Sequence, residues 1–210
     1  MSRRVLSVTL VAAVALAGCS AGGPSRVVAS GSPATVETSA LDGTDYEYVG
    51  TSNQSFNTTV EATISGDVEL NGRRPVTATA PISTYRRGTG AGPALVLVAT
   101  APAVAPIETQ PVVRNPLATL STPALLAHPQ SVYTVASLSR GENTTVRLLG
   151  TETTARTDTG TATHEGEQVP VTVTVASVRD GEEFVTVGAI GPRSTADRDR
   201  VRQVVAGLTH

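Results

Sequence analysis

The chain has no lysine and no tryptophan, one cysteine, and four tyrosines and two phenylalanines as its only aromatic residues in 210 positions. Each absence removes a class of chemistry. Without lysine there is no phosphate-gripping loop lysine, no Schiff base and no Ser-Lys dyad. A single cysteine excludes an internal disulfide, a cysteine-based metal site and a paired-thiol redox centre. So few aromatics leave few platforms on which bases or sugars could stack. The histidines are three, His128, His164 and His210, too far apart in sequence for a His-x₃-His zinc pair on a helix. No Gly-x-Ser-x-Gly nucleophile elbow occurs. A formal charge of −2 gives no basic face for nucleic acid. No catalytic residue, metal or cofactor is assigned from the sequence.

What is present begins with an address. Arg3 and Arg4 are followed by an apolar run, Val5 to Ala17, that is shorter than the roughly 20 residues a membrane-spanning helix needs. The run ends in Leu16-Ala17-Gly18-Cys19. A basic start, a short apolar centre and small residues at the end describe a secretory signal. A cysteine directly after Leu-Ala-Gly matches the lipobox of prokaryotic lipoproteins. We expect a signal peptide over 1–18, with Cys19 as the lipidation site. Two hydrocarbon chains on one thiol give stable anchoring where one is marginal. An ordinary secreted protein with an incidental cysteine is the alternative. Arg3-Arg4 fits a twin-arginine export signal in part and a plain positive charge equally well, so the export route stays open. The expected location is extracytoplasmic, on the outer face of the cell membrane, with the membrane itself as the first partner.

Residues 20–45 are rich in Ser, Gly, Ala, Pro and Thr, and read as a flexible tether carrying the lipidated Cys19. Residues 46–210 read as one globular domain. Period-two alternation over 56–70 and 74–86 predicts two strands joined at Asn71-Gly72, a strong hairpin signal. Pro75 and Pro81 suggest an edge or a bulge in the second strand. Gly88 to Gly92 is a loop before an apolar strand, Ala94 to Thr100. Asn115-Pro116 and Thr122-Pro123 each pair a capping residue with proline at the first helical position, predicting short helical turns over 116–121 and 123–128. Strands follow over 131–138 and 144–154, with a bulge at Gly150. A polar loop over 157–166 leads to the alternating valines 169, 171, 173 and 175. Arg179-Asp180-Gly181 turns the chain, and Phe184 to Ile190 returns. Ser194 caps a final helix whose apolar stripe is Val201, Val204, Val205 and Leu208. The expected fold is α+β: an antiparallel sheet of about seven strands, short middle helices, and a C-terminal helix packed on one face.

Few residues carry candidate chemistry. His164, Glu165 and Glu167 form the one polar cluster of mixed type, read mainly as a solvated loop. Arg86-Arg87 could hold an anion at the sheet rim, although a charged strand end is the preferred reading. Gly88 to Gly92 precedes a strand and lacks lysine, so it does not read as a nucleotide loop. Asp42, Asp45 and Glu47 read as solvated acids. Asn53, Asn57 and Asn143 each open an Asn-x-Ser/Thr sequon and are candidate N-glycosylation sites.

The lipobox, the segment Asn115-Pro116-Leu117 with Leu120-Ser121 and Leu125-Leu126, the run Arg179-Asp180-Gly181-Glu182-Glu183-Phe184-Val185, and the closing stretch Pro192 to His210 together resemble a haloarchaeal lipoprotein family known as domain-of-unknown-function family 6517. The resemblance implies an envelope location and a salt-loving host, and carries no activity or functional residue. At the level of fold alone, a sheet closed by a helix resembles the Mog1/PsbP-like group. The function expected is a non-catalytic interaction or binding module, with an envelope protein as the candidate partner. The alternative is a ligand-binding accessory subunit of a transporter or redox complex. A hydrolase would need a convergent acid, base or nucleophile set. A polar-lined pocket favours the accessory binder, and a filled interior disfavours it.

Overall fold

The computed structural model describes residues 25–66, 69–127, 130–195 and 198–210. Cys19, the signal segment, His128 and Asp197 lie outside these residues. The chain is mostly β. In order come β1 (Val27–Ser30), β2 (Thr35–Val36), α1 (Thr38–Leu41), β3 (Glu47–Ile64), β4 (Leu70–Arg87) and β5 (Ala94–Pro102). A 3-10 turn (Pro116–Thr119) and α2 (Thr122–Ala127) follow. Then come β6 (Thr134–Ser139), β7 (Asn143–Leu148), β8 (Thr151–His164), β9 (Glu167–Asp180), β10 (Glu183–Pro192), α3 (Arg198–Ala206) and β11 (Leu208–Thr209).

Among the described residues, nine strands make one sheet, in the order β3, β4, β5, β10, β9, β8 and then β6 or β7. It is seven lanes wide because two lanes are shared. β1 and β5 lie end to end beside β4, and β6 and β7 lie end to end beside β8. The sheet is mixed and not purely antiparallel: β1 runs parallel to β4, from Val27 opposite Val76 to Ser30 opposite Thr79.

That pairing corrects the expected tether. The chain joins the sheet from Val27 onward, and Ala34, Val36 and Tyr46 are buried in the core. Small apolar residues in a Ser/Gly/Pro background were enough, because β4 offered a free edge for four residues. Of the acids at the end of this segment, one is paired. Asp45 pairs with Arg200 of α3 at 2.8 Å.

β5 is buried on both faces, as its unbroken apolar run requires. Val96 and Val98 face one core with Tyr85, Val185 and Val187. Leu95, Leu97 and Ala99 face the other with Ile82, Val171 and Val173. The first core is closed by α3 and α1 through Val204 and Ala40, and the second by Leu117 and by Leu125 and Leu126 of α2. Helices therefore cover both faces, against the expectation of one. Full burial of a leucine such as Leu126 stabilises by about 1.5–3 kcal/mol, enough to fix a two-turn helix that could not stand alone.

Several local expectations move. Asn71-Gly72 is not a turn but lies inside β4, opposite Thr63 and Ala62; the hairpin closes between Ile64 and Leu70. Gly72 serves close approach instead: a Cβ there would sit 2.1 Å from Ile107 Cγ1. Gly150 is not a bulge. Leu149 and Gly150, with φ of 48° and 76°, form the two-residue turn between β7 and β8. Residues 157–163 are strand, since β8 runs on to His164. Pro75 and Pro81 occupy an interior strand, but at gaps in its ladder. The Thr79 carbonyl accepts from Gly31 N–H, so by period two residues 75 and 81 also face the β1/β5 side. Pro75 lies before the β1 pairing begins, and Pro81 between the end of β1 and the start of β5.

Asn115 caps the 3-10 turn, its side chain accepting from Leu117 N–H, while Ser121 rather than Thr122 caps α2. The final helix stops at Ala206. Leu208 is buried from strand β11, which pairs with β2. The β9–β10 hairpin stands as read, turning through Gly181.

Candidate functional site

Three stretches of chain meet at one end of the sheet around a cleft of about 530 Å³. Arg86 comes from the end of β4, the Gly88–Pro93 loop crosses beside it, and His164, Glu165 and Glu167 come from the β8–β9 turn. The turn is tight because Glu165 and Gly166 both take positive φ, 50° and 87°. That geometry, which Gly166 makes easy, matches strand twist in two-residue hairpins.

The loop is fitted to the same place. Gly92 has φ of 116°, and a Cβ on it would lie 2.8 Å from the Tyr133 hydroxyl and 3.2 Å from His164 Cδ2. Only glycine lets the backbone pass there. Tyr133 is buried and donates to the Pro93 carbonyl at 2.6 Å. Burial pushes its hydroxyl up to about 12, with the nearby Arg86 pulling slightly the other way, so it stays a neutral donor. Its ring lies 5.2 Å from that of His164.

His164 Nδ1 is 3.0 Å from the Val132 carbonyl. A carbonyl can only accept, so Nδ1 carries the hydrogen, and Nε2 is left on the Gly92 side. Adjacent arginines divide between the faces. Arg87 is buried, its guanidinium 5.5 Å from the centre of the Tyr46 ring. Arg86 is exposed toward the cleft. Among the described residues, no ion pair within 4 Å takes in Arg86, Glu165 or Glu167. One cleft thus holds both signs of charge without their cancelling each other.

A larger hollow, about 660 Å³, opens between α2 and β6. Its described lining, including Pro123, Ala127, Gln130 and Thr134, offers no charged side chain. Among the described residues, no three His, Cys, Asp or Glu side chains gather as a metal site. No helix there is long and apolar enough to cross a membrane.

The structure brings together Arg86, His164, Glu165 and Glu167, which are far apart in sequence. It separates His210, whose ring nitrogens lie 2.9 Å from Asp180 and 2.9 Å from Glu183 at the opposite end of β9. Asn53 and Asn57 are exposed on β3 and Asn143 at the start of β7. The Asn57 carbonyl oxygen accepts from Thr77 at 2.7 Å and from Arg26 at 3.1 Å. Sequence reasoning missed Tyr133 and Gly92 as the frame of the cleft. The glycine-rich loop was the available signal, and its partner 41 residues on was not visible.

Residues 33–209 match the family model described as a domain of unknown function, DUF6517, and the chain belongs to that family. No curated protein and no solved structure matches it.

Proposed function

We propose that this DUF6517 member is a lipid-anchored module of the cell envelope that binds rather than catalyses, and that it takes a small charged solute in the cleft at Arg86, His164, Glu165 and Glu167. The lipid is carried on Cys19 and holds the domain at the outer face of the membrane of a haloarchaeal cell. The lipobox pattern and the lysine-free, threonine-rich composition support that address.

One observation carries the binding reading: Arg86 and the two glutamates line one cleft without forming an ion pair with each other. A ligand with an anionic and a cationic group satisfies both, and His164 lines the same cleft as a further polar contact. The cleft also favours the accessory-subunit reading, in which the domain delivers such a solute to a transporter or redox complex.

The test is equilibrium dialysis of the mature protein against a defined mixture of amino acids, carboxylates and amines. Wild type should retain a species bearing both charges, and Arg86→Gln and Glu167→Gln should each lose it. Equal retention by all three proteins would remove the cleft from the account. Retention of nothing would return the search to a protein partner, by crosslinking on intact cells. Separately, Cys19→Ser should leave the membrane fraction; a variant that stays there would sink the anchor.

A further inference from the structure

The outer edge of β3 is the longest open feature of the sheet. β3 pairs with β4 along Glu47–Ile64, and no strand among the described residues lies on its other side. The direction of its free groups follows from one hydrogen bond. The Thr79 carbonyl faces β1, because it accepts from Gly31 N–H at 2.9 Å. Ser55, directly opposite Thr79, is then in a non-bonded pair with it and turns its own N–H and C=O outward. By period two the same holds for Thr51, Asn53, Asn57 and Thr59. No backbone hydrogen bond among the described residues uses these groups.

Sheet edges are normally protected by charge, proline, bulges or short strands. The opposite edge of this sheet has such protection. There β6 and β7 are six residues each, β6 carries a bulge between Val135 and Ser137, and Arg140 and Glu142 interrupt the two strands. On β3 there is no proline and no charge between Glu47 and Glu61, and its one bulge lies near its start, at Tyr48 and Gly50.

We propose that two copies of the chain associate by pairing their β3 edges antiparallel, about a two-fold axis at Ser55. This interface is independent of the cleft and of the anchor. The axis sets Ser55 against Ser55, Asn53 against Asn57 of the second copy, and Thr51 against Thr59 of the second copy. All five pairs present outward N–H and C=O to each other, about ten hydrogen bonds in a regular ladder. Their side chains are amides and hydroxyls, which exchange hydrogen bonds across a strand pair, and no like charges are opposed. A second copy brings an edge that is equally free of charge and proline between Glu47 and Glu61, so the two edges meet about the axis without like-charge repulsion or a missing donor. An edge contact of this kind belongs to the small interface class, so the dimer is weak and concentration-dependent.

Sedimentation equilibrium of protein without glycan on Asn53 or Asn57 tests this, up to the solubility limit. Wild type should move from monomer toward dimer as concentration rises. Ser55→Pro should remain a monomer with a thermal midpoint only slightly lowered, because the N–H it loses is not used by β4 and the one contact it removes there is the exposed hydroxyl pair with Thr79 at 3.2 Å. Ser55→Arg should also stay monomeric, since it sets like charges opposite each other, and it covers the case in which the proline variant fails to fold. A wild type that is monomeric at every concentration overturns the proposal. So does a dimer undiminished in a folded variant.

Discussion

β9 carries a tight turn at each end, and both turns hold a histidine among carboxylates. At the β9–β10 turn His210, Asp180 and Glu183 are partnered with one another. His210 sits between Asp180 and Glu183, and Glu183 also accepts from the Ser32 backbone N–H at 3.0 and 2.9 Å and from its hydroxyl at 3.1 Å. A neutral imidazole has one N–H, so both contacts are made in full only by the protonated ring. At the β8–β9 turn, His164 is tied by one nitrogen, and Glu165 and Glu167 join no ion pair among the described residues. The first turn is a clasp joining the last strand, the β9–β10 hairpin and the segment after β1. The second is a surface presented to a cleft. The same residue types hold structure where they are saturated and remain available where they are not.

The comparison is broken most severely at the clasp. Glu183→Ala removes the acceptor for Ser32 and one partner of His210, at a site where the glutamate side chain is only 17% exposed. We expect a loss of about 1.5–3 kcal/mol, the range for hydrogen bonds to a charged group, read as a lower denaturant midpoint with an unchanged slope. Glu183→Gln keeps an acceptor for Ser32 and should lose less. A midpoint unmoved by Glu183→Ala would mean that the clasp is not structural.

The wall of the cleft comes next. Tyr133→Phe leaves the Pro93 carbonyl without its donor and should cost about 1 kcal/mol at neutral pH. It should also change the alkaline limb. The folded hydroxyl is held at about 12 against 10.0 for a free tyrosine, so between those values the unfolded chain has lost a proton that the native chain keeps. The native protein binds more protons there, and stability falls as pH rises through this window. In Tyr133→Phe that part of the fall should be absent. An identical alkaline profile for the two proteins would place the Tyr133 ring outside the buried wall.

How much of this was legible in the chain depends on distance along it. The β9–β10 hairpin was plain, because alternating valines and Asp180-Gly181 are local signals. The membership of His164, Glu165 and Glu167 in one cluster was local too. Their meeting with Arg86 was not, since it depends on β4, β8 and β9 ending at the same rim of the sheet. Asn71-Gly72 misled because glycine answers two needs, positive φ and close approach, and only the fold tells them apart. Leu208 fitted a helical stripe at i+7 and yet is buried from a strand, since burial on one side does not specify the backbone that delivers it. The parallel β1 was hidden by its brevity: four residues carry too little pattern to stand out from a tether.

The smallest change in stability should come from the groups proposed to hold a ligand. Arg86 and Glu167 are exposed and belong to no ion pair among the described residues, so Arg86→Gln and Glu167→Gln should shift the unfolding free energy by less than about 0.5 kcal/mol. Joined to the dialysis result, this is a double requirement: retention lost and stability kept. A substitution that lowers both would make Arg86 another member of the clasp type, holding the sheet end together through contacts made only in solution. One that lowers neither would leave the cleft as a rim of solvated charge. Only the split outcome fits a site whose charges are held in reserve for a ligand, and it can be read without knowing in advance which solute that is.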